Sequence, residues 1–218
     1  MPRRYPQRKG TFRVSRSAAP LLYGSPEHKV VVFRDGNTSD IIRVIMFADS
    51  KSGEFIRPSG LTYLRGASDL DTLKNVFQVV RDNVKYRADR PGFEEVRSPG
   101  YLFQSGVGDC KSYSIAIGAF LRALGYSYRY RFTGPSRFGN YQHVYVIATT
   151  PDGQDVIMDA VLSKFNEEAK HKKRLDIRPG DSRALAALNG IQGGYTLEWI
   201  FGGAVVAGLI YLYIKMHR

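Results

Sequence analysis

The stretch that decides the fold is Gly108-Asp109-Cys110-Lys111-Ser112-Tyr113-Ser114, continued by Ile115-Ala116-Ile117-Gly118-Ala119-Phe120-Leu121-Arg122-Ala123-Leu124-Gly125. Ala116, Ala119, Phe120, Ala123 and Leu124 recur at helical spacing, and Gly125 supplies a stop. The pattern predicts a helix over 110–124 with one buried face. Cys110 opens that helix. The unpaired N–H groups and the positive dipole end found there favour a thiolate, which is the attacking form of the thiol. Asp109 reads as the helix cap.

Working outward, two residues complete a chemistry. The chain alternates as a strand over Tyr126–Thr133, again over Gln142–Thr149, and after the turn Pro151-Asp152-Gly153 over Asp155–Met158. His143 lies in the second of these strands and Asp159 ends the third, so strand pairing would set them side by side. A nucleophilic thiol needs a base, and the base needs an acceptor that fixes its tautomer. Cys110, His143 and Asp159 supply the three in that order. Taken singly, a lone Cys is an ordinary small core residue, a strand His is ordinary, and Asp159 fits a plain turn.

Upstream, Ser68 reads as an N-cap with Asp71 three residues later. Leu70, Leu73, Val76, Phe77, Val80 and Val84 then form an apolar stripe, which predicts a helix over 68–86. The runs 29–34 and 41–47 are rich in β-branched residues and flank Asp35-Gly36-Asn37, so they predict a hairpin. Residues 57–66 and 87–108, dense in Gly and Pro, predict loops. A helix followed by antiparallel strands gives an α+β fold class.

Composition bounds the rest. At 218 residues, 43% hydrophobic and 24% charged, the chain excludes wholesale disorder and collagen-like or repeat architectures. One cysteine excludes an internal disulfide framework and a multi-cysteine zinc site. His28, His143, His171 and His217 are scattered without paired-ligand spacing, and no Gly-rich phosphate loop is present, so no metal and no cofactor are expected. The net charge of +12 is uneven. Residues 1–26 carry Arg3, Arg4, Arg8, Lys9, Arg13 and Arg16 and no acid, with little apolar content. They read as a disordered arm that either contacts nucleic acid or anionic lipid or only solubilises the chain. They lack the apolar centre of a secretory signal.

From Trp199 to Ile214 the chain runs 16 residues without a charge. At about 1.5 Å per residue this reaches about 24 Å, the short limit for a span. Trp199 at one border, Tyr211 and Tyr213 near the other, and Lys215 and Arg218 beyond form an aromatic belt with snorkelling cations. A membrane helix over 197–214 is therefore expected, with membrane lipid as a partner. Gly203 with Ala207, and Ala204 with Gly208, are small residues four apart that favour a homodimer through this helix. The larger basic count upstream favours a single pass with the main domain cytoplasmic, and the free cysteine agrees with a reducing compartment. The expected organisation is a basic arm over 1–27, a domain over 28–165 with its core at 68–162, a basic linker over 166–196 and the membrane helix.

The motifs together resemble the transglutaminase-like superfamily of papain-fold thiol enzymes. The resemblance rests on Ser98-Pro99, the run Gly108–Ser114, Phe120–Tyr126, His143–Val146 and Val156–Asp159, and covers about 68–162. It implies a helix bearing the Cys packed on an antiparallel sheet, and a triad with Cys110 as nucleophile, His143 as general base and acid, and Asp159 orienting the imidazole. In many members of that superfamily the reaction is amide hydrolysis rather than crosslinking, and phage-encoded and bacterial proteins include short domains similar to this one. Gln104, six residues before Cys110, has the spacing of the papain-type oxyanion glutamine and otherwise reads as a solvated loop residue. Tyr145 and Met158 stand where members often carry Trp. Three functions remain open. The first is a membrane-anchored cysteine peptidase or amidase acting on a peptide or protein through a thioester. The second is a protein-glutamine acyl-transferase using the same triad. The third is a catalytically silent scaffold of a virion or membrane assembly.

Overall fold

The computed structural model describes residues 30–34 and 36–181. The basic arm over 1–27 and the membrane helix expected over 197–214, with Trp199, Gly203, Ala207 and Tyr211, lie outside the described residues. Among the described residues no helix is long and apolar enough to cross a membrane.

The centre of the fold is helix α4, Cys110–Leu124, in which every residue from Cys110 to Leu121 is buried. It packs on β6, His143–Thr149, and against α1, Thr38–Ser52, α2, Asp69–Asn83, and α3, Pro99–Ser105. Strand β6 belongs to an antiparallel sheet of order β7-β6-β5-β8, with β5 at Ser127–Gly134, β7 at Asp155–Met158 and β8 at Lys173–Ile177. The architecture is thus a mixed α and β fold with a cysteine-bearing helix on an antiparallel sheet. Its core includes Leu73, Phe77, Ile115, Phe120, Tyr130 and Val146, all with no exposed surface.

Helix ends follow local chemistry. The Ser68 hydroxyl accepts from Asp71 N–H at 3.1 Å and donates to the Asp71 carboxylate at 2.7 Å, which starts α2. Five of its six stripe residues are buried, and Leu70 is exposed instead. The Gly125 backbone sits at φ +86°, where a side chain is strained, and its N–H returns to Arg122 O while that of Tyr126 returns to Leu121 O.

Three expectations are corrected. Residues 41–47 lie within α1 and not in a hairpin. Asn37 Oδ1 accepts from Ser39 and Asp40 N–H, and the Asp40 carboxylate accepts from Asn37 N–H, so a capping box starts a helix there. Ile42, Ile45, Met46 and Asp49 then fall on one buried face at 3–4 spacing, which outweighs β propensity. The partner of β1, Val30–Arg34, is instead β3, Phe93–Arg97, paired antiparallel. The region 87–108 is accordingly not a structureless loop. Its glycines and prolines are the stops of short elements: Ser98 caps α3 with Pro99 in the first turn, and Gly106 at φ +64° ends it. Strand β4, Val107–Gly108, then pairs in parallel with β2, Lys85–Tyr86. Finally, the linker expected from 166 contains β8, which pairs with β5 and carries the folded domain past residue 165.

Beneath α4 lies a buried polar knot. Asp49 Oδ1 accepts from the hydroxyls of Tyr128 and Tyr130, each at 2.6 Å, and the carboxylate also pairs with Arg122. Gly118 faces it: an added Cβ would overlap the Tyr130 hydroxyl and lie 3.0 Å from Asp49 Oδ1. Alanine would gain about 1 kcal/mol of helix propensity. Overpacking against a fully buried, hydrogen-bonded tyrosine costs about 1–3 kcal/mol and wins. Gly118→Ala is therefore expected to lower the urea midpoint by circular dichroism, and an unchanged or raised midpoint would show that the knot yields freely.

Candidate active site

Asp109 caps α4. Its Oδ1 accepts from both the N–H and the hydroxyl of Ser112 at 3.0 Å, which fixes the first turn and leaves Cys110 at the leading helical position. Gly108 is required on the other side, because a Cβ there would overlap Leu102 Cδ1, and Leu102 is fully buried. The Ser114 hydroxyl lies 2.7 Å from Cys110 O and 3.1 Å from Val144 O, which joins the nucleophile's turn to strand β6.

The sheet register carries the partners. Val146 pairs with Met158, so Asp159, one residue on, arrives beside the start of β6. His143 Nε2 lies 2.7 Å from Asp159 Oδ2, and Asp159 Oδ1 accepts from Val161 N–H at 3.2 Å. Asp159 is 2% exposed, so this carboxylate faces the ring and not solvent. The His143 side chain and Cys110 line the same cleft, and the sulfur adds to the field that favours the charged ring. With Nε2 turned to Asp159, Nδ1 is the nitrogen left for the sulfur. Burial pulls the His143 pKa down, but the Asp159 carboxylate and the Cys110 sulfur more than offset it and hold the imidazole well above the ordinary histidine range.

Cys110 and His143 open on one cleft of about 450 Å³, walled by Tyr86, the 88–94 segment, Phe132 and residues 140–142. The structure therefore brings Cys110, His143 and Asp159 together. It does not bring Gln104 to them. Gln104 is exposed on α3 and is not among the residues that wall the cleft, because α3 turns Leu102 into the core and sets Phe103 against Phe120.

Two arrangements escaped the sequence reading. Lys111 is buried, with its ammonium 2.9 Å from Asp89 Oδ2, 2.6 Å from Glu94 Oε2 and paired with Asp109. Desolvation pulls its pKa down, and Asp109, Cys110 and Glu94 together raise it above the ordinary lysine range. Behind His143, the Tyr145 ring lies 5.5 Å away, tilted by 34°, and its hydroxyl donates to Glu168. Glu168 also accepts from Arg131, which grips Asp176 through two hydrogen bonds of 2.7 Å. Neither arrangement has a local sequence signal, since Glu168 and Asp176 lie on segments distant in the chain. Among the described residues no cluster of His, Cys, Asp and Glu is arranged to hold a metal.

Residues 62–160 match the transglutaminase-like superfamily. The matched segment contains α2, α4, β5 to β7 and Cys110, His143 and Asp159. Among solved structures, the chain is similar to a candidate protease from Parabacteroides distasonis (TM-score 0.44, 12% identity, over 63% of this chain and 36% of that one). It is also similar to a candidate cysteine protease from Cytophaga hutchinsonii (TM-score 0.32, 13% identity, over 86% of this chain and 61% of that one). The aligned part spans about a third of the first structure and three fifths of the second. No curated protein matches the chain.

Proposed function

We propose that the chain is a cysteine peptidase or amidase that works through a thioester. The observation that carries this reading is a helix-opening thiol that shares one cleft with an imidazole whose Nε2 meets a buried carboxylate at 2.7 Å. The Cys110 sulfur attacks the amide carbon as its proton rests on His143. The Cys110 N–H, which has no intrahelical acceptor at the first helical position, faces the developing oxyanion. His143 then gives its proton to the departing amine as the C–N bond breaks. A water molecule attacks the thioester, His143 takes the proton from that water, and the acid leaves as the thiol reforms. Asp159 holds the ring in one tautomer throughout.

Because Cys110 is the sole cysteine, alkylation reports on it alone. Iodoacetamide at pH 7 is expected to react with the folded chain about tenfold or more faster than with the urea-unfolded chain, and His143→Ala should remove that advantage. Equal rates in folded and unfolded chains would overturn the reading. We propose in addition that residues 197–214 tether the enzyme to a membrane. The full chain should then resist alkaline carbonate extraction from membranes, whereas a chain ending at residue 196 should be released.

A further inference from the structure

A second hollow, of about 570 Å³, lies between the β5–β6 loop and the segment leading into β8, lined by Ser136, Arg137, Phe138, His171 and Lys172. Two features mark it. Phe138 is 86% exposed, the most exposed large apolar side chain among the described residues. Arg137 and Lys172, both exposed and without an acidic partner among the described residues, stand together on it beside that ring. An unpaired guanidinium, an unpaired ammonium and a bare ring on one hollow suit a carboxylate on a short apolar stem.

The loop that carries this hollow also walls the thiol cleft. Phe138 lines the one and Asn140 the other, two residues apart, so about 7 Å of chain separates them. The loop is held from both sides. The Lys173 ammonium donates to Gly139 O and lies 4.4 Å from the centre of the Tyr141 ring, and Tyr141 N–H donates to Thr38 Oγ1 at 3.3 Å. Gly139, at φ +80°, supplies the turn between the two hollows. An extended peptide advances about 3.3 Å per residue, so a chain leaving the cleft along this loop reaches the hollow within a few residues.

We propose that this hollow is a recognition subsite for an acidic side chain of the peptide substrate, lying a few residues from the acylated one. The proposal rests on the hydrolase reading above. Two cations beside a thiol cleft suit one or two carboxylates. A nucleic acid draws its affinity from a longer run of phosphate contacts.

The test uses the full chain carrying Cys110→Ala and two fluorescein-labelled octapeptides, one alternating Glu with Ala and one alternating Gln with Ala. Anisotropy at near-physiological salt is expected to show the Glu peptide bound at least tenfold more tightly. Arg137→Glu with Lys172→Glu should abolish that preference, and Lys74→Glu with Lys164→Glu, the same charge change elsewhere, should not. Equal affinity for the two peptides would overturn the subsite, as would equal loss in both double variants. Tighter binding of an eight-nucleotide thymidine strand through the same two residues would assign the hollow to nucleic acid and overturn it too. The iodoacetamide rate of the Arg137→Glu, Lys172→Glu chain with Cys110 intact judges the hydrolase reading separately, since neither residue touches the thiol.

Discussion

Asp159→Asn is expected to drop the proton affinity of His143 from well above the ordinary histidine range to that range or below it. The carboxylate at 2.7 Å is the chief group opposing the burial of the ring, and the substitution keeps the shape while removing the charge. Burial then acts with only the sulfur against it. The sign of the stability change follows. In the wild type the raised pKa means that His143 adds stability in full below about pH 6.5, and that this contribution is lost as pH rises through the higher folded value. In the variant that term shrinks, and it reverses if the ring titrates below its unfolded value. The His143 Cε1–H resonance followed by NMR across pH 5–9 gives the titration directly, and urea unfolding at pH 6 and pH 9 gives the linked stability. Catalytically, the variant loses the group that holds the ring's tautomer and supports its charge, so amide turnover should fall about 10²–10⁴-fold. A His143 titration unmoved by Asp159→Asn would mean that the short contact does not govern the imidazole, and the triad argument would fall with it.

What the chain declares locally and what it hides differ in physical kind. The α4 helix was legible because three signals agree: an Asp cap, a 3–4 apolar repeat and a terminal glycine. The order Cys110, His143, Asp159 was legible because the Pro151-Asp152-Gly153 turn fixes the pairing of β6 with β7, and pairing alone brings the last two residues together. Residues 41–47 misled because β-branched residues favour strands on average, while the capping box at Asn37 and the buried stripe through Asp49 act on this one segment. The 87–108 segment misled because glycine and proline end helices as readily as they fill loops. Gln104 shows the limit of spacing arguments: six residues before Cys110 reaches the right sequence distance, but the intervening α3 end and β4 turn it out to solvent. Lys111 was invisible for another reason. Its partners Asp89 and Glu94 come from a different segment, and only folding turns a lysine beside the nucleophile from a solvated charge into a buried one.

That buried lysine supports the largest stability effect expected here. Lys111→Met preserves length and burial but leaves Asp89, Glu94 and Asp109 facing one another without a counter-charge. Lys111 is 6% exposed and Asp109 3%, so solvent screens the pair little. Removing one partner from a buried ionic cluster costs about 3–5 kcal/mol, more than a methionine side chain regains by burying its own surface in the same place. The loss should depend on pH in a stated direction. Burial already raises the Asp109 carboxyl pKa even though Lys111 opposes that rise, and without Lys111 the rise must grow. A carboxyl raised in the fold is best tolerated below its unfolded value, about 3.9, and destabilises increasingly as pH climbs through its folded value. The wild-type-minus-variant difference in urea unfolding should therefore be large at pH 7.5 and clearly smaller at pH 4.5. Lys111→Arg, which keeps the charge but replaces a compact ammonium with a planar fork, should fall between the two at pH 7.5. A difference that stays constant across that range would show that Lys111 contributes packing alone. In that case the 88–94 segment would be held in place beside Cys110 by something other than charge.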